Sequence, residues 1–263
     1  MTYDLTPESA SHSANSGELD RQASRIDSAV MKGAHLVAIG VSRGFFSTLT
    51  LVRCGLGAVT LIDSQVVEAE NIGQTLYATP HLKRLKVDIA KEMILERAPG
   101  TKVETYACRA EEVPNLPAIL ASADAVKIGI DDPRSMFTLA GMSQDAGTAS
   151  FVHGMSGDGQ QHFTAFVRPG GRPLREILPQ AWKGVEAGYK PPEFFPSCAL
   201  HTETMNAAVA LIIAGYLHYR AGSPIELMSN IGAGLVEAAL ATGFNGYHAP
   251  SGFLTPIYFG LPA

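Results

Sequence analysis

Beyond the turn Gly40-Val-Ser-Arg-Gly44 the chain places an acid, Asp63, then an amide-bearing polar segment, Glu68 to Gln74, and then a lysine in Leu85-Lys86-Val-Asp-Ile-Ala-Lys91. An acid that closes a strand after a glycine turn can accept hydrogen bonds from a sugar diol, while an amide and a lysine just beyond it come within reach of a triphosphate. The elements needed to hold these groups are written around them. His35-Leu-Val-Ala-Ile-Gly40 is a short apolar run ending in glycine, Phe45 to Arg53 is amphipathic, Cys54-Gly-Leu-Gly57 ends that helix, and Val59-Thr-Leu-Ile-Asp63 is a second apolar run. Strand, turn, helix, strand and acid in that order form a βαβ unit whose turn can bind an anion at a helix N-terminus.

The turn supports three chemistries. Gly40-Val-Ser-Arg-Gly44 spells G-x-S-x-G between a strand and a helix, the pattern of a hydrolase nucleophile elbow with Ser42 attacking an acyl carbon. Several strands precede the elbow in that fold, whereas here only an arm and one helix do. A dehydrogenase-like dinucleotide site is the second reading. Its G-x-G-x-x-G pattern is incomplete, with Ser42 and Arg43 where glycines would let pyrophosphate approach the backbone. The third places the triphosphate of ATP over Gly40, Ser42, Arg43 and Gly44, with Asp63 beyond it.

Composition narrows the partners. The 263 residues are 46% hydrophobic and 17% charged, enough to bury a full core. A net charge of -5 argues against nucleic acid, which needs a concentrated basic face. The longest apolar stretch, Met205 to Tyr216, is too short to span a bilayer, so no membrane partner is expected. Three cysteines, Cys54, Cys108 and Cys198, give neither a disulfide framework nor metal-ligand spacing, and a reducing, cytoplasmic setting is expected. The eight histidines form no i, i+4 pair on a helical segment and are assigned no ligand role.

The expected fold is α/β, a Rossmann-like, doubly wound and mainly parallel sheet with appended antiparallel strands and a C-terminal helical segment. Residues 1–17 read as a flexible arm, 18–155 as a nucleotide-binding α/β domain, and 156–263 as antiparallel strands, a crossover segment and helices completing it. Within this frame the sequence predicts helices over Glu18 to Met31, Leu85 to Arg97, Leu116 to Ala121, Arg134 to Ala146, Thr202 to Arg220 and Leu235 to Thr242. Strands are predicted over Lys102 to Tyr106, Ala125 to Ile130, Ser150 to Gly154 and His162 to Val167, and Leu174 to Pro196 reads as an irregular, proline-broken crossover.

Taken in order, these residues carry a resemblance. Leu19-Asp-Arg21-Gln22, Cys54-Gly-Leu-Gly57, Thr60-Leu-Ile-Asp63, Val66 to Asn71, Lys86-Val-Asp, Asp131-Asp132 and Gly159 to Val167 resemble the ubiquitin-activating-like, ThiF/MoeB-type adenylating enzymes over about residues 18 to 220. In such enzymes ATP and a carboxylate give an acyl adenylate and pyrophosphate. The resemblance implies that Asp63 holds the ribose hydroxyls, Lys86 meets the phosphates, Asn71 orients a phosphate or the ribose, and Asp131 organises Mg²⁺. It also implies a homodimer in which Arg21 reaches the γ-phosphate from the partner subunit, and a small ubiquitin-like or sulfur-carrier protein or peptide as substrate. Each residue has a plainer alternative: Lys86 as an exposed helix lysine, Asp131 as a helix N-cap and Arg21 as a solvated arm residue.

The chain also departs from that pattern. The glycine loop is a residue short and carries Arg43 and Phe45, and Gln74 stands where the family has a second phosphate-binding arginine. A neutral amide cannot supply a guanidinium's charge, so either ATP turnover is impaired or Arg43 supplies the cation from a new position. The two C-x-x-C pairs of zinc-binding members are absent, and no zinc is expected. Pro196-Ser-Cys198 precedes the long helix near the place of the family's acyl-accepting thiol; Cys198 is either that thiol or a small residue seating the helix. Three functions follow: carboxylate adenylation with ATP and Mg²⁺, a catalytically impaired relative acting as a binding or heterodimer partner, and the Ser42 hydrolase.

Overall fold

The computed structural model describes residues 17, 19, 22, 23, 25–155, 162–190 and 199–223 and the short strands at 245–248 and 258–259. Residues 1–16 of the predicted arm, Arg21, Cys198 and the predicted helix Leu235 to Thr242 lie outside the described residues. The elements run α1 (Ser28–Gly33), β1 (His35–Ile39), α2 (Phe45–Arg53), β2 (Ala58–Ile62), α3 (Lys86–Arg97), β3 (Lys102–Tyr106), α4 (Leu116–Ser122) and β4 (Ala125–Ile128). They continue with α5 (Pro133–Asp145), β5 (Ser150–Met155), β6 (His162–Val167), α6 (Leu174–Ile177), α7 (Pro179–Glu186), α8 (Ala199–Arg220), β7 (Asn245–His248) and β8 (Tyr258–Phe259).

One sheet of order β3-β2-β1-β4-β5-β6-β7-β8 runs through the described residues. β3 to β5 pair in parallel and β6 to β8 are added antiparallel. The fold is therefore the doubly wound α/β sheet with an antiparallel extension that the sequence predicts. Alternation along β1 explains the two layers: Leu36 and Ala38 face a core with Phe45, Leu49, Val87, Ile94, Val209 and Ile213, while Val37 and Ile39 face one with Leu120, Met136, Leu139 and Ile177. Each fully buried side chain of this size contributes about 1.5–3 kcal/mol, so both faces of the central strand are committed. Among the described residues no helix is long and apolar enough to cross a membrane.

Three predicted elements are corrected. Of the helix expected over Glu18 to Met31, the described residues show α1 starting at Ser28, where Asp27 caps it, its carboxylate accepting from the N–H groups of Ala29 and Val30. The strand expected to reach Ile130 stops at Ile128. The segment expected to be irregular from Leu174 holds α6 and α7, where Pro173 and Pro179 start helices instead of breaking them. Trp182 of α7 then packs edge-on against Phe137 of α5, with ring centroids 5.1 Å apart.

Candidate nucleotide site at the switch point of the sheet

The sheet order reverses between β1 and β4, so the carboxyl ends of β1, β2 and β4 open onto one crevice, the position where doubly wound folds bind ligands. Gly40, Asp63 and Asp131 all follow strands there. Gly40 has a φ of +85°, and a Cβ on it would stand 2.1 Å from the Gly129 carbonyl oxygen. Its N–H donates to the Ile62 carbonyl, and the next N–H, of Val41, donates to Asp63 Oδ2 at 2.9 Å. Asp63 Oδ1 accepts from Gln65 N–H at 2.8 Å, so this carboxylate fixes two backbone segments at the crevice floor. Gly40→Ala should lower the unfolding free energy by about 2 kcal/mol or more, read as a drop in urea midpoint, because it adds both a left-handed penalty and a clash.

Lys86 opens α3 beneath this floor and is only 3% exposed. Its ammonium donates to Gln65 Oε1 at 2.7 Å. Burial pushes its pKa down, the carboxylates of Asp63, Asp131 and Glu70 pull it back up, and Arg43 pushes it down again. One cation is thus felt by three acids and a second cation, and the solvated-lysine alternative does not describe it. Arg43 crosses the crevice to Asp131, with Nη2 2.9 Å from Oδ1. The helix cap falls to the neighbouring acid: Asp132 caps α5 by accepting from Arg134 N–H and Ser135 Oγ.

Phe45 does not plug the mouth. It is fully buried, stacked on Tyr77 at 6.4 Å and 5°. The Tyr77 hydroxyl donates to the Val41 carbonyl and reaches the Lys86 carbonyl at 3.3 Å, tying the turn to the start of α3. Burial, aided by the Asp63 charge, pushes this phenol above its usual range and keeps it a donor.

Behind the turn lies a buried polar layer. Lys127, in the middle of β4, is fully buried and donates to the Gly44 carbonyl and, at 3.3 Å, to Ser47 Oγ. Burial alone pushes its ammonium down to about 7. His153 of β5 fills the adjoining space: a Cβ on Gly129 would stand 2.3 Å from its Nε2, and one on Gly44 2.6 Å from its Cε1. From the other side Asn206 of α8 accepts the Ser47 N–H through Oδ1 at 3.2 Å and donates through Nδ2 to the Arg43 carbonyl at 2.8 Å and the Thr202 carbonyl at 2.7 Å.

The structure therefore brings together Gly40, Arg43, Gly44, Asp63, Lys86 and Asp131. Asn71 sits in a 3₁₀ turn, where its Oδ1 accepts the Glu68 N–H at 2.9 Å, and Gln74 Nε2 turns to the Glu70 carbonyl at 3.1 Å. Ser42 contributes its carbonyl to Phe45 N–H. Sequence reasoning missed Gln65, Tyr77, Lys127, His153 and Asn206. Lys127 alone left a signal, a lysine inside the apolar run Ala125-Val-Lys-Ile128. Cys54 and Cys108 are half-buried free thiols whose pKa values burial pushes up, as packing residues would show.

A parallel sheet with a glycine turn, strand-end acids and a lysine at its switch point defines a nucleotide-binding, Rossmann-like fold. The chain belongs to the ThiF family, whose pattern matches residues 43–226. It is 26% identical over 133 residues to the adenylyltransferase and sulfurtransferase UBA4 of Candida glabrata, covering 49% of this chain and 30% of that protein. The structure is similar to that of E. coli MccB with ATP, with a TM-score of 0.59 at 19% identity over 73% of this chain and 58% of MccB. PaaA gives a TM-score of 0.63 at 16% identity, over 86% of this chain and 73% of PaaA. The chain thus spans under a third of UBA4 and under two thirds of MccB.

Proposed function

We propose that the protein activates a carboxylate, the C-terminus of a small ubiquitin-like or sulfur-carrier protein or of a peptide, by adenylation with ATP. A carboxylate oxygen attacks the α-phosphorus, the bond to the bridging oxygen breaks, and that electron pair leaves with pyrophosphate. The observation that carries this reading is the position of Lys86, buried at the crevice floor and within the fields of Asp63 and Asp131. In it, the turn before α2 receives the phosphates on backbone N–H groups, and Asp63 accepts from the ribose hydroxyls. Lys86 offsets phosphate charge so that two anions can meet. Magnesium takes one or two carboxylates together with substrate phosphates, and Asp131, 66% exposed, would offer one. When bound, Mg²⁺ supplies charge neutralisation at the leaving phosphates. The likeness to MccB, solved with ATP and with AMPCPP and the peptide MccA, supports the reading.

The proposal extends to a homodimer that brings Arg21 from the partner subunit, to phosphate or ribose orientation by Asn71, and to acyl transfer onto Cys198. Carboxylate-dependent ATP/pyrophosphate exchange should appear with the wild-type chain and vanish in Asp131→Ala; exchange undisturbed in that variant would defeat the assignment of Asp131. Intact-mass analysis with ATP, Mg²⁺ and candidate carrier proteins identifies the substrate as an adenylate or thioester adduct.

A second reading, a catalytically impaired binding partner, is favoured by one observation: Asp131 is already paired with Arg43. A melting temperature unmoved by millimolar ATP with Mg²⁺ would support it.

A further inference from the structure

We propose that Arg43 is the phosphate-recognising cation of this turn, held on Asp131 until a divalent metal takes that carboxylate. The proposal rests on the reading of the crevice as an ATP site. The guanidinium lies across the crevice, Nη2 on Asp131 Oδ1 at 2.9 Å and Nη1 on Met155 Sδ at 3.5 Å, with the side chain 16% exposed. The backbone beneath it is fixed by Asn206, which donates to the Arg43 carbonyl at 2.8 Å. A fixed base and a long side chain allow the head group to exchange partners without moving the turn. Gln74 gives no positive charge in compensation, and its amide nitrogen is engaged by the Glu70 carbonyl.

Charge decides when the exchange happens. Among the described residues, Arg43 and Lys86 share the crevice with Asp63, Asp131 and Glu70, so the carboxylates acting on Lys86 outnumber the other cation that does. A divalent metal arriving with the triphosphate would be held in part by Asp131, which would weaken the Arg43 ion pair while adding positive charge. The freed planar fork then matches phosphate oxygens two at a time, which a lysine at the same place cannot do. Arg43 and the metal would thus be alternative partners of one carboxylate, and the exchange would favour a metal-bound triphosphate over a monophosphate.

The test is calorimetric binding of ATP and of AMP to the full chain, with Mg²⁺ and with chelator, in wild type, Arg43→Ala, Arg43→Lys, Asp131→Asn and the double variant Arg43→Ala/Asp131→Asn, each checked for an intact melting transition. With Mg²⁺, Arg43→Ala should weaken ATP by about 10- to 100-fold and AMP by less than about threefold, with Arg43→Lys between. With chelator, Asp131→Asn should bind ATP more tightly than wild type, and the double variant should lose that gain. A gain that survives in the double variant is simple relief of carboxylate repulsion and overturns the exchange. Wild-type and Arg43→Ala affinities that agree for ATP overturn the proposal while leaving the adenylation reading intact; a wild type that binds neither nucleotide overturns both.

Discussion

Lys86→Ala is expected to lower carboxylate-dependent ATP/pyrophosphate exchange by about 10²- to 10³-fold, the usual cost of removing a preorganised charge from a developing anion. The size follows from where the ammonium sits. At 3% exposure, water cannot take its place cheaply, and its hydrogen bond to Gln65 Oε1 holds it below the turn. Removing it takes away, among the described residues, one of the two cations that face Asp63, Asp131 and Glu70, so the crevice becomes more hostile to a triphosphate even before chemistry begins. Lys86→Met, which keeps most of the packing without the charge, should lose exchange to the same degree; a loss confined to Lys86→Ala would mean that a cavity, not a missing cation, is responsible. Lys86→Arg should retain part of the activity. Exchange within threefold of wild type in both neutral variants would remove Lys86 from the reaction.

Lys127→Met is expected to change the pH dependence of stability more than any other single substitution among the buried groups described. The native ammonium loses its proton at about 7, whereas the unfolded one keeps it until about 10.5. Between these values the unfolded chain binds the extra proton, so stability rises with pH across that window, at about 1.4 kcal/mol per unit for one proton. Below pH 7 both states are charged and the full burial cost is felt; above 10.5 both are neutral and it is gone. Urea unfolding of the two proteins at pH 7.5 and 9.5 should therefore show wild type gaining about 2–3 kcal/mol relative to Lys127→Met, and Lys127→Met should be the more stable protein at pH 6. Met fills a similar volume, and the Gly44 carbonyl keeps the Ser47 hydroxyl at 2.7 Å, so the substitution leaves that carbonyl paired. Parallel pH curves for the two proteins would show that Lys127 is not carrying a buried charge.

What could be read in the sequence was what is local. Alternation in His35 to Ile39 and Ala58 to Ile62, a glycine after the first strand and an acid after the second are written within a few residues of one another, and they fix the fold and the position of Gly40 and Asp63. Asp131 could be found because it follows an apolar run, although only the structure assigns the cap to Asp132. The supporting layer was not legible because its bonds join distant residues: Lys127 reaches Ser47 across 80 positions and Asn206 reaches it across 159. Nothing in the neighbours of Asn206 distinguishes it from any polar residue in a long apolar helix. Tyr77 stood in a stretch without a period, and its role depends on two carbonyls, of Val41 and Lys86, that only the folded chain brings close. The misread helix before β1 has a similar origin, since apolar spacing from Glu18 onward cannot reveal that Asp27 starts the first turn.

The three hydrogen bonds of Asn206 make the molecule indivisible at this point. A fragment ending after β6 would retain every strand of the parallel sheet and the acids Asp63 and Asp131 at its rim, yet the turn before α2 would lack the amide that holds Ser47 and Arg43 from behind. The last long helix is thus as much a part of the crevice as the loop it supports, and a chain shortened to its first six strands would lose the hydrogen bonds that hold that loop from behind.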